Sequence, residues 1–416
     1  MNLRNCKTIK KRRELIESEC KVFLSNIGHY SLDENVASTR NCENMIGVTQ
    51  IPLGIAGPLA ISFSSSKTQE QGTNNYYLPL ATTEGALVAS VNRGCKAITE
   101  SGGAHVSSYR VGATRGPVFK VCSLEENSQL FDFLTEHEDE MKKIAELTSH
   151  HLKMLSYDTK STGLYRFVRF VYDTQDAMGL NMVTIATDAV VRFIEEKTGA
   201  RCVSLSGNFC VDKKASHLNF QNSRGREVWA EVRITPPVVQ SVLNTTPEKF
   251  VETWLSKCMV GSAMSGSMGF NAQFANVLSA VFIATGQDPA HVAECAIGMT
   301  TAEVTPAADL YVSIYLPDLM VGTVGGGTGL GTQKEALELL GVAGVDNGNN
   351  SRKFAEIIGC AVLAGELSLL ASLSQGTLAS AHQRLGRGEI VRKTQKTRSI
   401  RESENRKVGI SENLTI

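Results

Sequence analysis

The spacing of apolar and polar positions divides the chain into helical and strand-like segments. Residues 1–40 are polar with helical spacing, and residues 51–58 set Gly and Pro among apolar residues, which predicts a strand and a turn. Helical spacing recurs at 86–99, where Gly102-Gly103 closes the segment, and again at 352–375. These long segments predict a core that contains both helices and strands.

The pattern changes between residues 117 and 205. Strand-like runs at 118–121 and 165–172 alternate with helical patterns at 124–155 and 182–197. This strand–helix–strand–helix order is typical of a small α+β unit.

We therefore predict an α+β protein with an inserted domain. A large helix-rich α/β domain would be built from residues 41–116 and 206–390, and the small unit at 117–205 would interrupt it. Residues 1–40 would form a helical segment in front of it. Residues 391–416 are almost entirely polar, which predicts a flexible tail.

Composition and charge narrow the function classes. The 416 residues are 42% hydrophobic and 20% charged, as in globular proteins, and 42 Lys and Arg balance 42 Asp and Glu. No net charge therefore attracts the protein to nucleic acid or to anionic membranes. The apolar run 357–373 contains Glu366 and many small residues, which favours a buried helix over a membrane span.

The basic residues near the N-terminus run into acidic ones without an apolar segment, so we expect a cytoplasmic protein, with an organelle matrix as the alternative. The 10 cysteines form no C-x-x-C pair and have no histidines at zinc spacing, so we expect no metal site. Free cysteines in such a chain act as small core hydrophobes.

The stretch 202–214 contains the first candidate chemistry. An apolar run ends in Ser206-Gly-Asn208 and is followed by Asp212-Lys-Lys214. Lysines at the end of a buried segment indicate an anionic ligand or a developing negative charge. The alternative is a solvated turn after a buried strand.

Other isolated polar positions are Glu84, Asp288 and His382, each in an apolar or glycine-rich setting. Taken singly, they also fit a helix-dipole partner, a turn residue and a surface histidine. The run Gly325-Gly-Gly327 fits either a phosphate contact or a tight turn. The chain contains neither G-x-G-x-x-G nor G-x-x-x-x-G-K-[S/T], so neither a Rossmann nor a P-loop site is predicted.

Taken together, the motifs resemble one family. They are, in chain order, Glu43-Asn-Met-Ile-Gly47, the block Ala81 to Ser90, Asp176-Ala-Met-Gly-Leu-Asn-Met182, Ser206-Gly-Asn208, Asp212-Lys-Lys214, Gly286-Gln-Asp288, Gly322-Thr-Val-Gly-Gly-Gly327 and Leu363-Ala-Gly-Glu-Leu-Ser-Leu369. From about residue 40 to 388 the chain resembles the catalytic domain of 3-hydroxy-3-methylglutaryl-coenzyme A (HMG-CoA) reductases. The block Thr82-Thr-Glu-Gly85 resembles the class I enzymes, which typically use NADPH.

The resemblance implies a four-electron reduction of the HMG-CoA thioester to mevalonate, with release of coenzyme A. Lys213 would stabilise the oxyanion formed at each hydride transfer, and Asp288 would hold that lysine. Glu84 would share this network and supply a proton to the carbonyl oxygen. His382 would protonate the departing thiolate, for which an imidazolium is a suitable donor near neutral pH.

The resemblance also implies binding residues. For the substrate carboxylate they are Arg115, Ser206, Asp212, Lys214, Lys257 and Asn276, and for coenzyme A they are Ser90, Asn92 and Arg93. The small unit resembles the ferredoxin-like nicotinamide module of the family. Its cofactor residues, with their partners in the large domain, would be Asp176, Ala177, Met178, Gly179, Asn181, Gly325 and Gly326, together with Ser149. For Arg115 and Lys257 the alternative is ordinary surface charge.

The chain departs from the family at two places. Some members have a Ser-Arg pair near the 2′-phosphate of the cofactor, where this chain reads Ser149-His-His151, so the expectation of NADPH over NADH rests on the class motif. After His382 the chain lacks the family's Asn-Arg-Ser ending. The resemblance also implies a homodimer or a dimer of dimers, in which Glu84 and Lys213 of one site come from different subunits.

Two other functions stay open from the residues alone. One is an acyl-CoA transferase with Cys95 or Cys210 as nucleophile, although neither has an adjacent histidine in the sequence. The other is a non-catalytic relative that binds coenzyme A thioesters.

Overall fold

The computed structural model describes residues 6, 8–64 and 72–378. The helices are α1 (Ile9–Cys20), α2 (Glu34–Arg40), α3 (Leu87–Glu100), α4 (Leu124–Glu136), α5 (Glu138–Glu146), α6 (Leu180–Thr198), α7 (His217–Asn222), α8 (Pro236–Val238), α9 (Pro247–Trp254), α10 (Ser262–Ser265), α11 (Phe274–Thr285), α12 (Val292–Cys295), α13 (Gly331–Leu339) and α14 (Asn349–Ser374). Two π-helical turns cover Val239–Leu243 and Leu255–Gly261, and two 3₁₀ turns cover Pro289–His291 and Gly326–Gly329.

The strands are β1 (Leu53–Phe63), β2 (Asn74–Ala81), β3 (Ala104–Arg115), β4 (Val118–Lys120), β5 (Lys153–Thr162), β6 (Tyr165–Asp173), β7 (Arg201–Ser204), β8 (Arg224–Ile234), β9 (Met299–Val304) and β10 (Leu310–Leu319). With 45% of the residues helical and 24% in strands, the α+β prediction is confirmed.

The strands of the described residues join into one sheet through β3. The order is β7-β4-β6-β3-β8-β10-β9, with β2 attached through β1 and β5 attached through β6. One part of β3, residues 105–112, pairs with β8, and its end, residues 113–115, pairs with β6. The same strand therefore connects the larger half of the sheet to the smaller half.

The segment from β4 to β7 has its own topology. Its elements follow the order β4, α4, α5, β5, β6, α6, β7, and its strands lie in the order β7-β4-β6-β5. All three strand pairs are antiparallel. Each helix–strand connection therefore leads back to the same small sheet.

The predicted helix 124–155 was wrong at its end. The helices stop at Glu146, and β5 begins at Lys153. Within the described ranges this strand pairs only with β6, and most of its side chains are at least partly exposed. Because β5 lies at an edge of the described sheet, polar residues occur at most of its positions. Its sequence therefore lacks the apolar–polar alternation that predicts a half-buried strand.

The other long segments agree with the pattern. Helices α3, α6 and α14 and strands β4 and β6 lie within a few residues of the predicted bounds. The leading segment forms two helices, α1 and α2, which pack through Ile9, Ala37 and Met45. The domain bounds remain predictions, and residues 391–416 lie outside the described part of the chain.

Helix α14 is the centre of the larger half. It is long and apolar enough to cross a membrane by length and composition alone, but 83% of its most apolar window is buried. It packs against α3, α9, α11, β1, β3, β8 and β10. At the crossing with α3, a Cβ on Gly94 would lie 1.9 Å from the carbonyl oxygen of Ala364, so only glycine permits this approach. The burial agrees with the interpretation of this helix as a core helix.

Candidate active site

A lysine and an aspartate predicted to act together form an ion pair. Lys213 Nζ lies 2.7 Å from Asp288 Oδ2, and both side chains are between one third and one half exposed. Asp288 follows the C-terminal glycine of α11, Gly286, and its Oδ1 accepts a hydrogen bond from the N–H of Ala290. The aspartate is thus fixed by a turn and is directed at the lysine.

The environment of Asp288 favours its charged form. Burial alone would raise the pKa of this carboxyl. Hydrogen bonds from Lys213 and from the N–H of Ala290, with the charges of Lys213 and His291, outweigh burial and lower the pKa below its ordinary value. A charged aspartate in turn keeps the ammonium group in place.

Lys213 lies in a loop with an unusual backbone. Asn208, Val211 and Lys213 all have positive φ, at 63°, 49° and 59°. Such conformations cost non-glycine residues energy and persist where the surroundings hold them. The carbonyl of Cys210 accepts from Thr114 Oγ1 at 3.0 Å and that of Val211 from Asn219 Nδ2 at 3.1 Å. The direction of the lysine is therefore set by backbone contacts.

The turn before Asp288 connects this pair to the glycine-rich segment. Gln287 Nε2 donates to the carbonyl of Gly322, and the N–H of Gly322 donates back to Gln287 Oε1, both at 2.9 Å. Gly286 and Gly327 touch directly, because a Cβ on Gly286 would lie 2.4 Å from Gly327. Asp288 and Gly325 are therefore parts of one surface.

The glycine-rich segment also meets the loop 174–179. The N–H of Thr323 donates to the carbonyl of Asp176 at 2.8 Å, and Ala177 forms a parallel bridge with Val324. Gly325 and Gly326 have positive φ, and a Cβ on either would meet nothing within 4 Å. Their backbone is open to a ligand, as a phosphate-binding turn requires.

Asp176 itself has a contact that its motif did not predict. Its carboxylate is buried and accepts three backbone N–H bonds, from Asp346 at 2.6 Å, Gly348 at 2.8 Å and Ser351 at 2.9 Å. Gly348 and Ser351 lie at the N-terminus of α14. The side chain thus caps this helix from a distant loop, a role that the prediction of a cofactor contact did not include.

The remaining residues predicted at the cofactor lie around the same loop. Gly179, with φ 81°, precedes α6 and packs against Thr174, and Met178 is half-buried. Asn181 is exposed in the first turn of α6. Ser149 Oγ accepts from the N–H of His151, whose Nδ1 lies 3.3 Å from Gln175 Oε1. The structure therefore brings segment 149–151 beside the loop that contains Asp176.

Glu84 lies in a separate cluster. Its N–H is held by Thr82 Oγ1, and its two carboxylate oxygens accept from Asn276 Nδ2 at 3.3 and 3.1 Å. The two residues line a cavity of about 320 Å³. Among the described residues, no hydrogen bond or ion pair joins Glu84 to Lys213.

Two of the cationic residues predicted at the substrate contact Asp212, which precedes Lys213 in the chain. Arg115 Nη1 is 4.0 Å from Asp212 Oδ2, and Lys214 Nζ donates to the carbonyl of Asp212. Lys257 is exposed and lines a cavity of about 600 Å³ together with Ala215. Exposed Ser206 contacts the sulfur of buried Cys210.

The three residues predicted at coenzyme A lie on α3. Ser90 Oγ donates to Ser368 Oγ at 2.9 Å, and Arg93 binds Ser368 and Ser372 of α14. Asn92 is exposed and accepts from the N–H of Gly57. Ser90 and Arg93 thus join two helices. His382 lies outside the described residues.

The sequence did not reveal the buried charges behind the loop. Arg224 is completely buried and lies 2.7 Å from both oxygens of Glu294 and 3.1 Å from Asp212 Oδ1. His291 is hydrogen-bonded to Glu294. Asp212, His291 and Glu294 form a cluster of the kind that can hold a metal ion, and the guanidinium of Arg224 contacts both of its carboxylates. In the sequence, the only indication of this cluster was the three-residue spacing of Asp288, His291 and Glu294, which is typical of side chains on one face of a helix.

Comparison with known proteins identifies the family. The model of the family hydroxymethylglutaryl-coenzyme A reductase matches residues 8–387. The chain belongs to this family. The prediction of an oxidoreductase of the mevalonate pathway is thereby confirmed.

Curated relatives of this HMG-CoA reductase family cover nearly the whole chain. The 3-hydroxy-3-methylglutaryl-coenzyme A reductase of Methanothermobacter thermautotrophicus is 49% identical over 381 residues, which are 91% of this chain and 94% of the relative. That of Pyrococcus abyssi is 47% identical, over 90% and 92% of the two chains. Reductase 1 of Dictyostelium discoideum is 38% identical, over 92% of this chain and 69% of the relative.

Solved structures share the fold. A class II HMG-CoA reductase from Streptococcus pneumoniae, bound to NADPH in open conformations, has a TM-score of 0.65 and 18% identity, over 88% of this chain and 97% of that one. At this identity the similarity concerns the fold.

The cysteine alternative does not fit the geometry. Cys95 and Cys210 are both fully buried. Burial raises the pKa of the Cys95 thiol to about 12, so the thiolate needed for attack is scarce near neutral pH. Neither sulfur is available as a nucleophile in this state.

Proposed function

We propose that this chain reduces HMG-CoA to mevalonate and free coenzyme A at the surface formed by the Lys213–Asp288 pair and the glycine-rich segment 322–327. The observation that carries the proposal is their direct connection through the turn at Gly286. A cation for an oxyanion thus lies beside an open backbone turn that suits a dinucleotide.

Each polar residue has a distinct task. When bound, the reduced nicotinamide supplies the hydride. Lys213 stabilises the negative charge that develops on the carbonyl oxygen, and Asp288 holds its ammonium group. Glu84 supplies a proton to this oxygen, and His382 protonates the sulfur of the leaving coenzyme A. Arg115, Lys214 and Lys257 bind the distal carboxylate of the substrate.

A second subunit would complete the site. In the part of the chain that the structure describes, no hydrogen bond or ion pair joins Glu84 to Lys213. Next to Glu84, the exposed apolar residues Ile51, Leu53 and Ile55 lie on or beside β1. Exposed apolar groups of this kind mark interfaces. We propose a homodimer, or a dimer of dimers, in which this surface brings Glu84 to the partner's lysine.

We also propose that residues 117–205 are a ferredoxin-like cofactor domain inserted between 41–116 and 206–390. The order of elements, strand–helix–strand–strand–helix–strand with one helix divided into α4 and α5, supports this, as does the antiparallel strand order. A role of Ser149 at the cofactor is supported by the contact of His151 with Gln175, a residue of the loop that contains Asp176.

For the class and the cofactor we propose class I and NADPH. Both rest on the block Thr82-Thr-Glu-Gly85, while the absence of an arginine after Ser149 weakens the preference over NADH. A cytoplasmic location also stays a prediction. If the enzyme instead prefers NADH, its kcat/KM will be higher with NADH than with NADPH.

The decisive experiment is a spectrophotometric assay with HMG-CoA, run with NADPH and with NADH. We expect oxidation only when HMG-CoA is present, with two cofactors consumed per mevalonate. A stoichiometry of one, with an aldehyde as the final product, would contradict the four-electron reduction. No turnover with either cofactor would instead favour a relative that only binds coenzyme A thioesters.

A further inference from the structure

The buried carboxylate of Glu294 contacts three residues: Lys213, Arg224 and His291. Glu294 is completely buried, and its Oε2 accepts the backbone N–H of Lys213 at 3.3 Å. The same carboxylate binds Arg224, which in turn contacts Asp212. Its Oε1 is hydrogen-bonded to Nδ1 of His291. One carboxylate therefore holds the loop directly and through a guanidinium.

The histidine extends this contact to the other half of the ion pair. Its Nδ1 faces Glu294, and its Nε2 lies 3.9 Å from Asp288 Oδ2. The side chain is fully buried, and among the described residues Nε2 has no hydrogen-bond partner. A buried polar atom without a partner is costly, so its direction toward Asp288 requires a reason.

We propose that Glu294 is a positioning residue for catalysis: it fixes Lys213 through the backbone and directs the ring of His291 toward Asp288, and so sets the geometry of the ion pair. This rests on the function proposed above. Glu294 reaches neither substrate nor cofactor, because Arg224, His291 and the backbone of Lys213 surround its oxygens.

The backbone conformation of Lys213 explains why a positioning residue is needed. Lys213 has φ 59°, a conformation that a free loop would leave. Its N–H is bound by Glu294, while Asn219 holds the carbonyl of Val211. A misplacement of about 1 Å at a catalytic group can lower the rate about 10²-fold. Release of this single N–H therefore affects the rate without removing a reacting group.

The test compares Glu294→Gln and His291→Asn with Glu356→Gln. Glu356 is also buried and paired with an arginine, Arg352, and among the described residues no hydrogen bond or ion pair joins it to Lys213 or Asp288. For Glu294→Gln we expect kcat with HMG-CoA to fall about 10- to 100-fold, with little change in KM. Glu356→Gln should keep the kcat of the folded enzyme.

The pH profile separates positioning from simple destabilisation. The groups that face Asp288 are Lys213 and His291, with Glu294 and Arg224 behind them. The charge of His291 lowers the pKa of Asp288, so His291→Asn should raise it. The acid limb of kcat should then move to higher pH in this variant. An unchanged profile in both variants, with activity lost only in proportion to unfolding, would overturn the proposal.

A readout without turnover keeps the two proposals apart. Reductive methylation, quantified by mass spectrometry, measures the reactivity of Lys213 relative to exposed Lys249. We expect Glu294→Gln to raise this ratio, because the ammonium is released from Asp288. If the wild type does not oxidise NADPH with HMG-CoA but the ratio still rises, the proposed function fails and the positioning role stands. An unchanged ratio with unchanged kcat refutes positioning.

Discussion

Replacement of Asp176 by alanine distinguishes a helix cap from a cofactor ligand. The carboxylate accepts the N–H groups of Asp346, Gly348 and Ser351, and the bonds to Gly348 and Ser351 are buried. The amide of Asp346 lies at an exposed residue, so water can replace the carboxylate there. Two buried donors therefore lose their partner in Asp176→Ala.

The magnitude follows from those two donors. A buried donor left without a partner costs about 1–3 kcal/mol, so Asp176→Ala should lower the free energy of unfolding by about 2–6 kcal/mol. Asp176→Asn keeps one acceptor oxygen but turns an NH₂ group toward other donors, so it should cost less than alanine. This cost is a large part of the stability of an ordinary domain, about 5–15 kcal/mol.

The assay is urea unfolding without ligands, followed by circular dichroism at one protein concentration, because assembly couples stability to concentration. The matched control is Glu335→Gln, an exposed carboxylate on α13 that should leave the midpoint unchanged. The KM for NADPH is measured on the folded variants. If Asp176→Ala unfolds at the wild-type midpoint and instead raises this KM tenfold or more, the carboxylate is a cofactor ligand and the capping argument is wrong.

Three further predictions concern the residues that we propose to be catalytic. Asp288→Asn should lower kcat about 10²–10³-fold, yet change the unfolding free energy at pH 7 by less than about 1 kcal/mol, since the ion pair is partly exposed. Because folding lowers the pKa of Asp288, this small contribution to stability should vanish when urea unfolding is repeated at falling pH. A large loss of stability at pH 7 would count against a mainly catalytic role. Mixed Glu84→Gln and Lys213→Ala subunits should regain part of the activity that each variant lacks, and activity in a monomer, measured by light scattering, would exclude the shared site. His382→Gln should strongly impair HMG-CoA reduction but spare mevaldehyde reduction, which expels no thiolate, whereas Lys213→Ala should impair both; equal losses in His382→Gln would disprove the proton-donor role.

Local hydrophobic patterns and family motifs were enough to predict the long helices and one pair of site residues. The long helices and the pairing of Lys213 with Asp288 agree with the structure. The lysine cluster after an apolar run was visible in the sequence, but its pairing with Asp288 was implied only by the family resemblance, because a polar residue after a helix also fits a plain turn. Strand β5 was hidden because its exposed edge breaks the alternation.

Contacts between distant segments could not be predicted in this way. Asp176 binds backbone groups 170 residues further along the chain, and backbone N–H groups leave no trace in the sequence. Arg224 and Glu294 are 70 residues apart, in a strand and a short helix that each look ordinary. Only the folded structure shows that Arg224 and Glu294 lie next to the loop that contains Lys213.

The position of α14 along the chain has a consequence for synthesis on the ribosome. This helix packs against α3, α9, α11 and four strands, all of which are translated before it. Until residues 349–374 have left the exit tunnel, those elements expose the apolar surface that the helix will cover. The nascent chain therefore cannot close its core during most of translation, and a ribosome stalled before α14 should hold an aggregation-prone intermediate that chaperones bind.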